Sequence, residues 1–118
     1  MTDTVLTTLH QVTEDLLFPS EADAPLEPFV WENAEPTPAE LRRRSGQPAQ
    51  TRCRTIAAEH FFADLAEVAG FTALYATLQA MLTDLRVYLY GEGTITVYVV
   101  GRDAHGRLAG FKTAAVEL

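Results

Sequence analysis

The sequence has a single cysteine, Cys53, so no internal disulfide can form and no CxxC metal or redox pair is present. It has no apolar run longer than four residues, far short of the roughly 20 that a membrane-spanning helix needs. Its start, Met1-Thr2-Asp3-Thr4, has neither the basic stretch nor the apolar stretch of a secretory signal. A cytoplasmic address is the expectation. Glycine and proline are sparse, seven and six in 118 residues, which excludes collagen-like and low-complexity chains. The hydrophobic content of 47% suffices for one packed core, and the length fits one soluble domain over residues 1–118.

The most informative absence is of positive charge. Residues 1–40 hold nine carboxylates (Asp3, Glu14, Asp15, Glu21, Asp23, Glu27, Glu32, Glu35, Glu40) and neither lysine nor arginine. The other 78 residues hold seven acids against nine bases, within a formal net charge of −7. An acidic third repels a phosphate backbone, so direct nucleic-acid binding is not expected. It favours a partner with a basic surface or cleft, because complementary potentials speed encounter and fix orientation. From charge alone the plainer reading is a solvated acidic face that keeps the protein soluble.

Periodicity places the elements. Val5, Leu9, Val12 and Leu16 share one helical stripe, predicting a helix over 3–17 that ends at the loop Phe18–Pro25 with its two prolines. Pro28–Glu32 reads as a short strand. Thr37-Pro38-Ala39-Glu40 is a capping-box signature for a short helix through Arg42-Arg43-Arg44, stopped by Gly46. Thr51–Ile56 reads as a strand. A helix around 59–69 presents Phe61, Phe62, Leu65 and Val68 and ends at Gly70. Thr72 is read as the cap of another, carrying Leu74, Leu78, Met81 and Leu85. The runs 86–90, 94–100 and 107–116, separated by short turns, predict an antiparallel three-stranded meander. Ile95, Val97 and Val99 alternate with Thr96, Tyr98 and Val100, so both faces of that sheet are apolar and call for helices on each side. The expected class is α+β, an α-β-α sandwich around a central sheet.

Catalytic signatures are missing. There is no P-loop, GxSxG or HExxH, and Gly91-Glu92-Gly93 lies between strands rather than at a strand-to-helix turn. His10, His60 and His105 are scattered without a second ligand at metal spacing and read as structural or exposed. Cys53 reads as a buried strand residue, Arg42–Arg44 as a solvated helix end, and Trp31 as packing in the core or at its rim. The chain does not read as an enzyme, and no cofactor is expected.

Two stretches carry a more specific signal. One is Leu16-Leu17-Phe18, Ser20-Glu21, Pro25, Glu27, Phe29 and Trp31-Glu32. The other is Val87-Tyr88, Gly91-Glu92, Val97-Tyr98-Val99, Gly101, Gly106, Leu108-Ala109-Gly110, Thr113 and Val116-Glu117. Together they resemble the nuclease A inhibitor family, small proteins that block a metal-dependent, sugar-non-specific DNA/RNA endonuclease. Between them only element order and Phe61-Phe62 match.

The resemblance implies an α-β-α sandwich that plugs the nuclease's active-site cleft with carboxylates in place of phosphates. It implies partner contacts at Glu21, with Asp23 beside it, and at the C-terminus, Glu117 and Leu118. There the terminal carboxylate of Leu118 approaches the nuclease's metal ion, with no metal held by the inhibitor itself. On the residues alone Glu21 is an ordinary loop acid, Glu117 an outward strand position and Leu118 a chain end. The chain departs from the family pattern in ending Glu117-Leu118 rather than Glu-Thr, which keeps the carboxylate but drops a hydroxyl. It also has a shorter segment between the Phe61-Phe62 helix and the next, without an acidic, Trp-containing loop.

The expectation is an inhibitor that is monomeric when free and binds a basic, Mg-dependent endonuclease, with no nucleic acid or membrane partner. The rival is an adaptor or small-ligand-binding module on the same fold, which a large apolar pocket with few polar groups would favour. A hydrolase comes third, and calls for an apolar-walled cleft holding two carboxylates with separated pKa values.

Overall fold

A computed structural model describes residues 4–14, 16–18, 24–32, 37–46, 51–68 and 70–116. Helix α1 (Thr4–Thr13) buries Leu9, with Val5 and Val12 half-buried beside it. It ends four residues before the expected Leu17. The Thr13 hydroxyl donates to the Leu9 carbonyl at 2.7 Å, and beyond it Leu17 pairs with Pro25 in an isolated antiparallel bridge. Leu16 and Phe18 pack on the core cluster from this non-helical path.

Strand β1 (Glu27–Trp31) is followed by helix α2 (Pro38–Ser45). The Thr37 hydroxyl accepts the Glu40 N–H at 3.2 Å, Pro38 stands in the first turn, and Gly46 closes the helix at φ 74°. The second half of the capping box is not made. The Glu40 carboxylate turns instead to Arg43 and Arg44, at 2.6 and 2.7 Å, and their hydrogen bonds hold its pKa below the ordinary carboxylate value.

Strand β2 (Cys53–Ala57) leads into helix α3 (Ala58–Ala63). The helix expected to run to 69 stops there. Leu65 N–H bonds to the Phe62 carbonyl and Val68 N–H to the Leu65 carbonyl, so the apolar spacing continues through turns. Helix α4 (Phe71–Met81) follows, and its N-cap is Gly70, not Thr72. Gly70 adopts φ 90°, and a Cβ there would come within 2.5 Å of the Leu16 side chain. Thr72 lies inside the helix, its hydroxyl 3.4 Å from the Ala66 carbonyl.

The chain then turns extended at Leu82 and enters β3 (Thr83–Tyr90), β4 (Thr94–Arg102) and β5 (Leu108–Val116). Leu85, expected on the helix, lies in β3 and still packs on the same core.

The five strands form one sheet in the order β1-β5-β4-β3-β2, all neighbours antiparallel. The fold is α+β. The expected three-stranded unit is β3-β4-β5, and β1 and β2 extend it at its two edges. Pro28, which has no N–H for a ladder, sits on edge strand β1. Gly110 of β5 lies so close to β4 that a Cβ there would run into the Val99 carbonyl.

The alternation in β4 fills both faces. Ile95, Val97 and Val99 join Leu9, Phe61, Phe62, Phe71, Leu74 and Leu78 from α1, α3 and α4. Tyr98 and Val100 join Leu41 of α2 with Tyr88, Tyr90 and Leu108. On that second face the arginine run is more than a solvated helix end. The Arg42 guanidinium stands 5.8 Å above the Tyr90 ring and donates to the Thr51 carbonyl at 3.1 Å. Arg44 stands 5.2 Å above Trp31, which stacks on Phe29 at 4.2 Å. Cys53 is half-buried rather than buried. No helix among the described residues is long and apolar enough to cross a membrane.

Candidate functional site

Four residues carry the expected partner contacts: Glu21, Asp23, Glu117 and Leu118. All four lie outside the described residues. What the structure gives is the frame from which each segment departs.

The segment that holds Glu21 and Asp23 lies between Phe18 and Ala24. There the Phe18 N–H donates to the Ala24 carbonyl at 2.8 Å, and Leu17 faces Pro25 in the bridge. The outgoing limb is anchored from below. The Phe18 ring stacks on Phe61 at 5.8 Å and meets Phe71 edge-on at 6.5 Å. Leu16 packs over the bare Gly70. The returning limb is anchored by Leu26, which is buried.

The C-terminal segment leaves from β5. Register places the two departures at one end of the sheet. Glu27 of β1 pairs with Lys112 of β5, so the chain just before β1 lies beside the chain just after Lys112. There Thr113, 2% exposed, donates its hydroxyl to the Pro25 carbonyl at 3.0 Å, with the Ala24 carbonyl at 3.4 Å. From Thr113 the strand runs on to Val116, paired with Thr94, roughly 10 Å at the ordinary rise per residue.

The same end of the sheet holds two features that sequence reasoning left without a role. Glu92, in the turn between β3 and β4, is 74% exposed and pairs with the 66% exposed Arg52 at 3.2 Å. Leu17, beside the acidic loop, is 51% exposed. Leu17 is the last residue of the helix expected over 3–17 and off its apolar stripe, and the fold places it outside. Thr113 was part of the quoted pattern, but its acceptors lie 88 and 89 residues away in the chain, and no local signal pairs them.

A groove runs beside Leu17 between α1 and the loop stem. Polar Thr7, His10, Gln11 and Glu14 line it on one side and apolar Leu16, Leu17, Pro25, Leu26 and Pro28 complete it. His10, His60 and His105 are all exposed. No cluster of three or more potential metal ligands occurs among the described residues.

The family model described as nuclease A inhibitor-like protein matches residues 3–118. No curated protein matches the chain.

Proposed function

The chain belongs to the nuclease A inhibitor-like family, and from that premise we propose that it blocks a metal-dependent, sugar-non-specific endonuclease by filling the active-site cleft. Glu21, with Asp23 beside it, takes the place of a nucleic-acid phosphate. It accepts charge-assisted hydrogen bonds from the arginines and lysines that line such a cleft. The terminal carboxylate of Leu118, with Glu117 next to it, approaches the nuclease's divalent cation. A hard cation with exchangeable waters takes a carboxylate oxygen readily, and hydrolysis stops when that position is filled. On this reading the protein is a cytoplasmic monomer when free. It is not an enzyme, and it has no cofactor and no nucleic-acid or membrane partner.

One observation carries the proposal: the stem of the acidic loop and the strand leading to the C-terminus stand at one end of the sheet. Two carboxylate-bearing segments that leave the same end of the sheet, roughly 10 Å apart along β5, can enter one cleft together. The stem supports the same reading, because a loop tied at both ends loses less freedom on binding. Leu17 supplies an apolar contact beside the charged ones, and Glu92 adds a further carboxylate at this end.

The test is competition on the nuclease itself. A fluorescent oligonucleotide is bound to a catalytically inactive variant of the non-specific endonuclease from the same cell, and the protein is titrated in. Displacement of the oligonucleotide at one equivalent is the expected result. A ternary complex that retains the oligonucleotide would overturn cleft occlusion.

A further inference from the structure

Thr113 raises a question that the sheet alone does not answer. It points to the same face of the sheet as its β4 partner Val97, which is buried in the larger apolar cluster. In that setting a valine would supply the same shape without a polar group to satisfy. A buried hydroxyl is retained at little cost only when it is hydrogen-bonded. Here the acceptors are the carbonyls of Pro25 and Ala24, at 3.0 and 3.4 Å. One hydroxyl proton serves one of them at a time, and the shorter contact is to Pro25.

The position of this bond matters. The β1–β5 ladder begins at Glu27↔Lys112, so the residues before Glu27 have left the sheet. Pro25 has no N–H with which to extend the ladder. The Thr113 side chain makes the attachment instead, one residue beyond the end of the ladder on β5. It does so at the residues that close the acidic loop, where the Ala24 carbonyl already accepts the Phe18 N–H at 2.8 Å. One side chain thus joins the stem residues Ala24 and Pro25 to β5.

We propose that Thr113 is a positioning residue of the inhibitory site: its hydroxyl fixes the stem of the loop carrying Glu21 and Asp23 against the strand leading to Leu118. Its effect is to hold the stem residues Ala24 and Pro25 against β5 before binding. The inference rests on the inhibitor reading for its functional half and on the hydrogen bond alone for its structural half.

The test compares wild type with Thr113→Val, which keeps the shape and loses the donor, and Thr113→Ser, which keeps the donor. The first readout is amide hydrogen exchange, which requires no nuclease. The valine variant exchanges the Phe18 amide about tenfold faster, while the central amides of β4 change much less. The serine variant stays near wild type. The second readout is inhibition of the endonuclease, expected to weaken about tenfold for valine through faster dissociation and to be restored by serine. An unchanged Phe18 amide in Thr113→Val overturns the clamp. Faster exchange with unweakened inhibition overturns the positioning role. If wild type itself does not inhibit, the inhibitor reading falls and the functional half with it. The exchange measurement still decides the clamp.

Discussion

At Asp103 a carboxylate with no exposed side-chain surface accepts three hydrogen bonds, from the backbone N–H of His105 and of Arg107 and from the Arg107 guanidinium. Burial alone would raise its pKa, but those donors outweigh burial and hold it below the ordinary carboxylate value. A carboxyl whose pKa is lower folded than unfolded contributes stability above its unfolded value, near pH 4. That contribution disappears as the pH falls through the folded value. Asp103→Asn is therefore expected to cost about 2 kcal/mol at pH 7, with the gap to wild type closing on acidification below about pH 4. Thermal unfolding of both proteins from pH 7 to pH 2 checks this, and a gap independent of pH would refute it. Leu17 calls for the opposite pattern. Half-exposed in the free protein, it is expected in Leu17→Ser to leave the melting temperature nearly unchanged. Binding to the nuclease should weaken by about 1–2 kcal/mol, measurable by calorimetric titration. Equal affinity of the two proteins would remove Leu17 from the interface.

Among the elements, those with strict periodicity and explicit stop residues were readable in advance. Thr37, Pro38 and Gly46 bounded α2, and the turns at 91–93 and 103–106 bounded β4 and β5. Boundaries failed where one apolar series serves two structures in succession. Leu74, Leu78, Met81 and Leu85 keep helical spacing, yet the chain turns extended at Leu82, and Leu85 reaches the same core from β3. Leu16 likewise continues the stripe of α1 but packs against Gly70 from outside the helix. The proposed contacts were reached in a different way, and they lie outside the described residues. Glu21, Asp23, Glu117 and Leu118 came from family resemblance, because carboxylates in loops and at chain ends have no periodicity to give them away. Thr113 needed the fold, since a contact across 88 residues leaves no local trace. The tightest steric demand among the elements falls at Gly110, where β5 approaches the Val99 carbonyl. Gly110→Ala forces β4 and β5 apart at the centre of the sheet and is expected to destabilise by about 3 kcal/mol. Chemical denaturation measures this directly. A loss below about 0.5 kcal/mol, the usual range of a surface substitution, would show that the strands yield easily.

For the whole molecule the governing fact is uneven charge: nine carboxylates and no lysine or arginine in residues 1–40. A partner cleft built to hold a polyanion is electropositive, so long-range attraction should guide the acidic N-terminal third toward it. Association is expected to slow about tenfold or more as ionic strength rises from low to about 0.5 M, while dissociation changes little. Stopped-flow binding would show it, and an association rate indifferent to salt would contradict the electrostatic part of the account. The central claim, inhibition through two segments at one end of the sheet, is tested most directly by plasmid degradation. The non-specific endonuclease from the same cell acts in excess Mg²⁺ while wild type, Glu21→Ala and a chain lacking Glu117-Leu118 are titrated in. The account predicts full protection at one equivalent of wild type and weaker protection by each variant. Undiminished plasmid degradation at a large molar excess of wild type would contradict it.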